Sequence, residues 1–347
     1  MKRIFYLFFL FSFGEIVAQS DTTIHYLAFY NVENLFDPAN DSLTQDDAFT
    51  PDGLNRWSYK RYYKKSNNTA KVILAMGKGN PPTIIGLAEI ENDRVLQHLC
   101  RYSPLKNYNY QFVHYDSPDS RGIDVALLYR PDKITILHSE PIPIVFPFEP
   151  QSRNRDMLYV KTQLPNQDTL HIFINHWTSR YGGLAQTIAK RNHYALTLRQ
   201  KVDSIFKQDL HANIFIAGDF NDYPTDKSMS QILNALSPNE KKKKENGLYN
   251  LMLAFSSLQN IGSHKYEDFW GCLDQIVVSM SLLSSKNSLQ VVEGKAEIFK
   301  EDFMVEPDLK YGGDKLFRTY LGPRYIGGFA DHLPVYIRLL EIRKEAR

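Results

Sequence analysis

Short apolar runs that end abruptly in polar residues restrict most strongly how this chain can fold. Ile214–Ala217 is one such run, and Asp219 and Asn221 follow it closely. Thr83–Ala88 is another, and it ends in Glu89. Continuous apolar runs of this length are typical of strands covered on both faces. Taken alone, polar residues after a strand also suit an ordinary turn, because Gly, Asp and Asn favour turns for backbone reasons.

Three segments with a helical pattern separate some of the strands. Tyr59–Met76, Asp93–Tyr102 and Leu184–Phe206 are predicted helices. Met157–Leu164 and Leu170–Ile174 predict a hairpin. Many strands with a few long helices predict an α/β protein in which two mixed sheets pack face to face, with the helices outside.

Two stretches in the second half of the chain carry weaker patterns. Lys227–Ser256 predicts a helix followed by a loop, and its four lysines, Lys241 to Lys244, are typical of a solvated loop tip, with a polyanion contact as the alternative. Asp302–Ile326 contains five Gly or Pro residues and predicts a long irregular segment.

The first twenty residues differ from the rest of the chain. Lys2 and Arg3 precede the apolar run Ile4–Phe13, which is too short to span a bilayer, and small residues suited to cleavage follow at Ala18 and Ser20. We therefore expect residues 1–20 to be a signal peptide and residues 21–347 a single catalytic domain, secreted or periplasmic. An N-terminal membrane anchor is the alternative.

Charge and cysteine content exclude some classes of protein. The formal net charge is only +2, so no global field favours nucleic acid or an anionic membrane, and any polyanion must bind in a local groove. Cys100 and Cys272 are the only cysteines, which excludes a disulfide-rich scaffold. One bridge and two buried thiols both remain open at this stage.

Acidic residues at strand boundaries recur over some 240 residues of sequence. Glu89, Asp219, Asp274 and Asp331 are four of them. Four buried acids on one sheet rim would repel each other unless a cation, a histidinium or protons balanced them. Because no thiol belongs to the set, Mg²⁺ or Mn²⁺ with oxygen ligands is favoured over zinc, and Ca²⁺ is a further candidate.

Seven short motifs together resemble a known series. In chain order they are Asn31-Val-Glu-Asn-Leu, Leu87-Ala-Glu89, Arg121-Gly-Ile-Asp-Val-Ala, Asn175-His176, Gly218-Asp219-Phe-Asn221, Leu273-Asp274-Gln-Ile and Ala330-Asp331-His332-Leu-Pro. This order resembles the endonuclease/exonuclease/phosphatase superfamily, and within it secreted bacterial endonuclease-like members. The resemblance implies the DNase I-like fold, a four-layer α/β sandwich of two packed mixed sheets flanked by helices.

The resemblance also implies residues that bind the metal. Glu89 corresponds to the principal metal carboxylate, and Asp331 to a second acid beside the metal. Asn31 stands where the family has an Asn near both the metal and the scissile phosphate. Glu33 stands where some members have an acid. The family often has Ser before the last Asp-His pair, and here the residue is Ala330.

Five further residues correspond to the catalytic set of the family. Asp219 resembles the acid that orients or deprotonates the attacking water, and Asn221 the amide that binds a phosphate oxygen. His176 resembles the histidine that stabilises developing charge. His332 resembles the histidine that contacts phosphate and pairs with Asp274, a pairing that would fix its tautomer and raise its pKa.

The reaction implied is attack of water on a phosphate ester with help from a metal ion. Arg121 and Arg180 are further candidates, with Asn31, for contact with the substrate phosphate; each Arg could equally be a structural surface residue. We expect the protein to be an endonuclease that acts on DNA or RNA. We also expect it to be a monomer and to need no obligate protein partner. A phospholipid diesterase of the sphingomyelinase kind, a phosphatase on a soluble ester, and a catalytically silent binding protein are the alternatives.

Overall fold

The computed structural model describes residues 21–77, 79–258 and 260–343. The expected signal peptide, residues 1–20, lies outside the described residues. In the described part of the chain, no helix combines the length and the apolar character needed to cross a bilayer.

Nineteen strands and three α-helices form the described chain. The strands are β1 Asp21–Leu35, β2 Ile84–Ile90, β3 Gln111–His114, β4 Asp124–Tyr129, β5 Thr135–Ile142, β6 Met157–Gln163, β7 Thr169–His176, β8 Ile214–Asp219, β9 Ala235–Leu236, β10 Leu248–Asn250, β11 His264–Tyr266, β12 Phe269–Gly271, β13 Asp274–Ser279, β14 Leu289–Ile298, β15 Val305–Pro307, β16 Asp314–Leu316, β17 Tyr320–Leu321, β18 Arg324–Tyr325 and β19 Val335–Arg343. The helices are α1 Tyr59–Met76, α2 Asp93–Tyr102 and α3 Leu184–Gln208.

Two large mixed sheets organise the fold. The first has the strand order β14-β19-β1-β2-β4-β3, and the second has the order β5-β6-β7-β8-β13-β10-β9. The pairs β1–β2 and β7–β8 are parallel, and their neighbours β19, β4, β6 and β13 pair with them in antiparallel fashion. The carboxyl ends of β1 and β2 therefore lie together at one edge, and those of β7 and β8 do so in the other sheet.

Side chains point alternately to the two faces of each sheet, and this alternation builds the layers. In β1, Leu27 and Phe29 pack between the sheets, whereas Ala28 and Tyr30 pack in the layer that contains residues of α1 and α2. The outer face of the second sheet packs in the same way against α3. Side chains that alternate with a period of two can fill both layers from one strand. The result is the expected four-layer order of helix, sheet, sheet and helix.

Two of the sequence expectations are wrong in detail. Within Lys227–Ser256 there is one π-helical turn, Ser228–Ile232, followed by the short strands β9 and β10 rather than by a simple loop. Asp302–Ile326 is not irregular throughout, since it contains the small hairpins β15–β16 and β17–β18. Strands of two or three residues are too short to show a period in the sequence.

The two cysteines are free and buried. Cys100 packs in the layer of α1 and α2, and Cys272 packs between the two sheets. Because the thiols belong to different layers, they do not form the bridge that the sequence left open.

Gly86 of β2 packs against Ile174 of β7 in the other sheet, and this contact yields a test of the packing. A Cβ at this position would lie 2.5 Å from Cδ1 of Ile174. We expect Gly86→Ala to lower the free energy of unfolding by about 1–3 kcal/mol through overpacking, measured by urea denaturation. Ile174→Val, which removes Cδ1, should recover part of this loss in the double variant. A double variant that loses the sum of both single losses would contradict this account.

Candidate active site

Three polar residues lie side by side at the edge of the second sheet. His176 is the last residue of β7 and pairs in register with Asp219, the last residue of β8. Asp219 pairs in turn with Asp274, the first residue of β13. All three are buried. The register therefore brings together residues that are up to about a hundred positions apart in the sequence.

His332 joins this row from the segment that precedes β19. Its Nδ1 donates to Oδ2 of Asp274 at 2.7 Å, and its Nε2 lies 3.7 Å from Oδ2 of Asp219. Burial alone would lower the pKa of His332, but the carboxylates of Asp274, Asp219 and Asp331 outweigh it and raise the pKa well above its ordinary value. His332 is therefore a histidinium at neutral pH, and it neutralises part of the acidic row.

Burial shifts the pKa values of Asp219 and His176 in opposite directions. Burial raises the pKa of Asp219 to about 6, against the opposing charge of His332. Burial also lowers the pKa of His176 well below its ordinary value, and Arg155 and Arg121 add to this effect. At neutral pH the site thus contains a carboxylate at Asp219 and, 3.7 Å from it, a neutral imidazole at His176.

Asn31 connects the edges of the two sheets. Its Nδ2 donates to Oδ2 of Asp219 at 3.1 Å and lies 3.4 Å from Oε1 of Glu89. Glu89 is at the end of β2, and its other oxygen accepts from the backbone N of Asn34 at 2.9 Å. Asn31 therefore places a carboxylate of the first sheet beside one of the second.

The backbone at this junction adopts unusual conformations. Glu33, Asn34 and Glu89 have φ angles of 55°, 56° and 64°, and Asn221 has a φ of 51°. Such left-handed conformations cost energy in residues other than glycine, and they cluster at functional sites. Here they turn the side chains of Glu89 and Asn221 at the points where their strands end.

Glu33 and Asp331 share a partly buried charge network. Arg318 donates to Oε1 of Glu33 at 2.9 Å and to Oδ2 of Asp331 at 2.7 Å. Nζ of Lys65 lies 3.8 Å from Oε2 of Glu33. Burial and the charge of Asp331 raise the pKa of Glu33 to about 7. Burial also raises the pKa of Asp331, but His332 and Arg318 outweigh it and hold that pKa below its ordinary value.

Glu89 and Asp331 both line a cleft of about 850 Å³, together with Asn34 and Arg121. Neither oxygen of Glu33 is free, because Arg318 and the backbone N of Thr319 donate to them. Glu33 therefore supports Arg318 in this structure, and its predicted role as a metal ligand stays a prediction.

The remaining predicted residues occupy different positions. Asn221 uses one amide hydrogen to donate to the carbonyl of Trp177 at 3.0 Å, which leaves the other for a substrate. Arg180 donates to the carbonyl of Asn221 and to Asp222 and Asp226, so its contacts support the turn after β8. Its predicted contact with substrate phosphate is untested. Arg121 lines the cleft, donates to Asn34 and lies 3.9 Å from Glu89.

Sequence reasoning missed four residues at the site: Lys65, Arg155, His264 and Arg318. Arg155 donates to the carbonyls of His176 and Trp177 and pairs with Asp119 at 3.1 Å. The ring of His264 lies 4.9 Å from that of His332. Lys65 alone carried a usable signal, because it follows Tyr62 by three positions and precedes Thr69 by four, on the buried face of α1.

The donor set fits a divalent cation. Four acidic side chains, Glu89, Asp219, Asp274 and Asp331, lie around three cationic ones, His332, Arg318 and Arg121. Oδ1 of Asp274 is buried and has no hydrogen-bond partner among the described residues. Asp219 and Asp274 have carboxylate oxygens within 4.8 Å of each other. A cation would relieve this surplus of negative charge.

Solved structures with a similar fold include several phosphoesterases. An endonuclease/exonuclease/phosphatase family protein from Bacteroides thetaiotaomicron is 15% identical with a TM-score of 0.55, and the match covers 93% of this chain and 97% of that one. The mannosyl-6-phosphatase Bt3783 of the same organism is 15% identical with a TM-score of 0.56 over 91% and 99% of the two chains. TDP2 of Danio rerio, in complex with a single-strand DNA product, is 14% identical with a TM-score of 0.54 over 91% and 99%.

Identities this low establish the fold alone. No curated protein sequence matches the chain significantly. The family model described as "Endonuclease/Exonuclease/phosphatase family" matches residues 26–341, nearly the whole described chain. The match includes all of the motifs at the strand ends. This chain therefore belongs to the endonuclease/exonuclease/phosphatase family, whose DNase I-like fold it has.

Proposed function

We propose that the protein is a metal-dependent phosphodiesterase, and within that class a secreted endonuclease that acts on DNA or RNA. The observation that carries the proposal is the row of His176, Asp219 and Asp274, completed by His332 and joined to Glu89 through Asn31. This arrangement offers a base, a cationic donor and a carboxylate for a metal around one point.

Asp219 is the proposed base for the attacking water. Its carboxylate is ionised at neutral pH, because its pKa of about 6 lies below 7. Asn31 donates to Oδ2, and the backbone N of Asn221 donates to Oδ1 at 3.0 Å. These two bonds fix the carboxylate, so that it can orient a water and accept its proton.

His332 and His176 are the proposed donors to the phosphate. His332 is positioned by Asp274, and its Nε2–H is directed to the region beside Asp219. The neutral His176 adds an N–H donor, and Asn221 adds its second amide hydrogen. Donors fixed in advance around a phosphate stabilise the charge that develops in the transition state.

Glu89 and Asp331 are the proposed metal carboxylates, with Asn31 and Glu33 as further candidates. The oxygen donors favour Mg²⁺ or Mn²⁺, and Ca²⁺ is the third choice. When bound, the cation would neutralise the non-bridging oxygens of the phosphate.

The charges in the cleft support an extended polyanion as the substrate. Two cationic side chains of the lining are neutralised, since Arg155 pairs with Asp119 and Lys190 pairs with Glu149. Arg153 binds only the carbonyls of Pro118 and Leu43, among the described residues, and it has no carboxylate within 4.0 Å. It therefore remains available for a phosphate away from the scissile bond.

An aromatic ring at the mouth of the cleft supports the same choice. Tyr181 lines the cleft and is 94% exposed. Unstacked bases bind on such rings irrespective of sequence. A similar fold was solved with a single-strand DNA product, in TDP2 of Danio rerio. We further propose that residues 1–20 direct export and that residues 21–347 form one catalytic domain.

The role of Asp219 is testable with an isosteric change. We expect Asp219→Asn to lower kcat by about 100-fold or more, because the amide cannot accept a proton from water. The measurement is hydrolysis of bis(p-nitrophenyl) phosphate, plasmid DNA, RNA and sphingomyelin by the purified mature chain, with Mg²⁺, with Mn²⁺ and with a chelator.

Asp132→Asn, an exposed acid in the turn after β4, is the matched control and should retain activity. Undiminished hydrolysis in the chelator, or in Asp219→Asn, would rule out the mechanism. Cleavage of sphingomyelin but not of nucleic acid would replace the nuclease by the lipid diesterase, and release of phosphate from soluble monoesters alone would favour a phosphatase.

A substitution at Arg153 tests whether the substrate is an extended polyanion. We expect Arg153→Gln to raise the KM for an oligonucleotide about tenfold and to reduce the slope of log KM against log salt by about one. The KM for bis(p-nitrophenyl) phosphate should not change, because only the longer substrate carries a second phosphate.

Lys242→Gln, in the exposed lysine run, is the control for loss of one positive charge. Equal effects of both changes on KM, or an equal effect of Arg153→Gln on both substrates, would remove the assigned phosphate contact. Metal-dependent activity on the small ester would still stand in that case.

A further inference from the structure

A second group of potential ligands lies outside the catalytic row, where β3 ends and β4 begins. His114 is the last residue of β3, Asp124 is the first residue of β4, and Asp116 lies in the connection between them. Each offers one ligand atom, and these atoms lie within 4.8 Å of one another. Bonds of about 2 Å to one ion bring ligand atoms to within about 4 Å of one another, so a small side-chain movement is enough for these three residues to share an ion.

The imidazole of His114 has the orientation of a metal ligand. Its Nδ1 bonds Oδ1 of Asp93 at 2.8 Å, and its Nε2 lies 3.3 Å from Oδ2 of Asp124. The side chain is only 2% exposed, yet Nε2 has no hydrogen-bond partner among the described residues. A carboxylate on one ring nitrogen, with the other nitrogen directed to acidic groups, is the usual arrangement around a metal.

Negative charge is in surplus around this histidine. A further carboxylate, Asp156, has a buried oxygen without a hydrogen-bond partner in the described chain. Asp156 lies close enough to Asp124 for their charges to interact. Among the described residues, no Lys or Arg lies within 4.0 Å of Asp116, Asp124 or Asp156. A protonated His114 alone would leave the cluster negative.

We infer that His114, Asp116 and Asp124 bind a divalent transition cation, Zn²⁺ or Mn²⁺, at a site separate from the catalytic row. One imidazole nitrogen with carboxylate oxygens suits these ions better than Mg²⁺ or Ca²⁺, which prefer oxygen alone. The inference does not depend on the proposed function.

The bound ion would fix the connection between β3 and β4. Asp124 already accepts from the backbone N and the hydroxyl of Ser117 through Oδ1, which leaves Oδ2 for the ion. The same connection carries Asp119 and Arg121 to the cleft. A cation at its base would therefore stiffen the loop that presents Arg121.

Asp116 offers the sharpest test, because it is exposed and accepts no hydrogen bond from a described residue. Asp116→Asn should therefore fold normally. We titrate Zn²⁺ and Mn²⁺ into the metal-free full chain by calorimetry, and we expect Asp116→Asn to weaken one site at least tenfold, a typical loss on weakening a metal's coordination. Asp52→Asn, another exposed acid, is the matched control and should bind as the wild type.

Glu89→Gln separates this site from the catalytic one. It should leave the titration of the new site intact, and His114→Phe should abolish it. Identical titrations of wild type and Asp116→Asn would overturn the inference, and so would loss of all transition-metal binding in Glu89→Gln. In either case the cluster would be a histidinium between two aspartates.

Proteolysis gives a second readout that does not involve catalysis. Trypsin cleaves after Arg121, and Zn²⁺ at ten times its Kd should slow this cleavage about tenfold in the wild type. Asp116→Asn should lose this protection. Equal protection of both proteins would exclude an ion held by Asp116.

Discussion

The contact of Asn31 with Glu89 and Asp219 is the interaction on which the proposed catalytic centre depends. Asn31 belongs to the first sheet, and its Nδ2 reaches Oδ2 of Asp219 in the second sheet at 3.1 Å. Two sheets packed about 10 Å apart bring their edges together only where side chains span the gap. This one amide places the carboxylate proposed for the metal beside the carboxylate proposed for the water.

Compensation of charge explains much of the surrounding structure. Four acids meet at this junction, and buried carboxylates are costly unless they are paired. The protein supplies His332 and Arg318, each bound to an acid at 2.7 Å, and Arg121, which lies 3.9 Å from Glu89. These cations offset only part of the energetic cost of burying the carboxylates, and a divalent cation at the site would offset the rest. The cluster at His114 follows the same rule, with a surplus of carboxylates around one imidazole.

The small hairpins that follow β14 have a role that their irregular sequence conceals. They place Arg318 and Thr319 against Glu33, and thereby fix the segment that leads to Asp331 and His332. Lys65 of α1 helps to hold this segment in place, because its buried Nζ donates to the hydroxyl of Thr319 at 2.7 Å. The end of the chain thus completes a site to which the first half contributes Asn31 and Glu89.

The sequence by itself determined the layered α/β class, the bounds of α1 and α2, and the residues at the strand ends, because period-two and helical patterns are local properties of the chain. It could not reveal Arg318, Arg155 or the cluster at His114. It also left open whether Cys100 and Cys272 form a disulfide, and the structure places the two free thiols in different layers. Such contacts depend on strand register and on the packing of distant segments. Only the tertiary structure brings His176, Asp219 and Asp274 into one row, since pairing between strands sets which residues face each other.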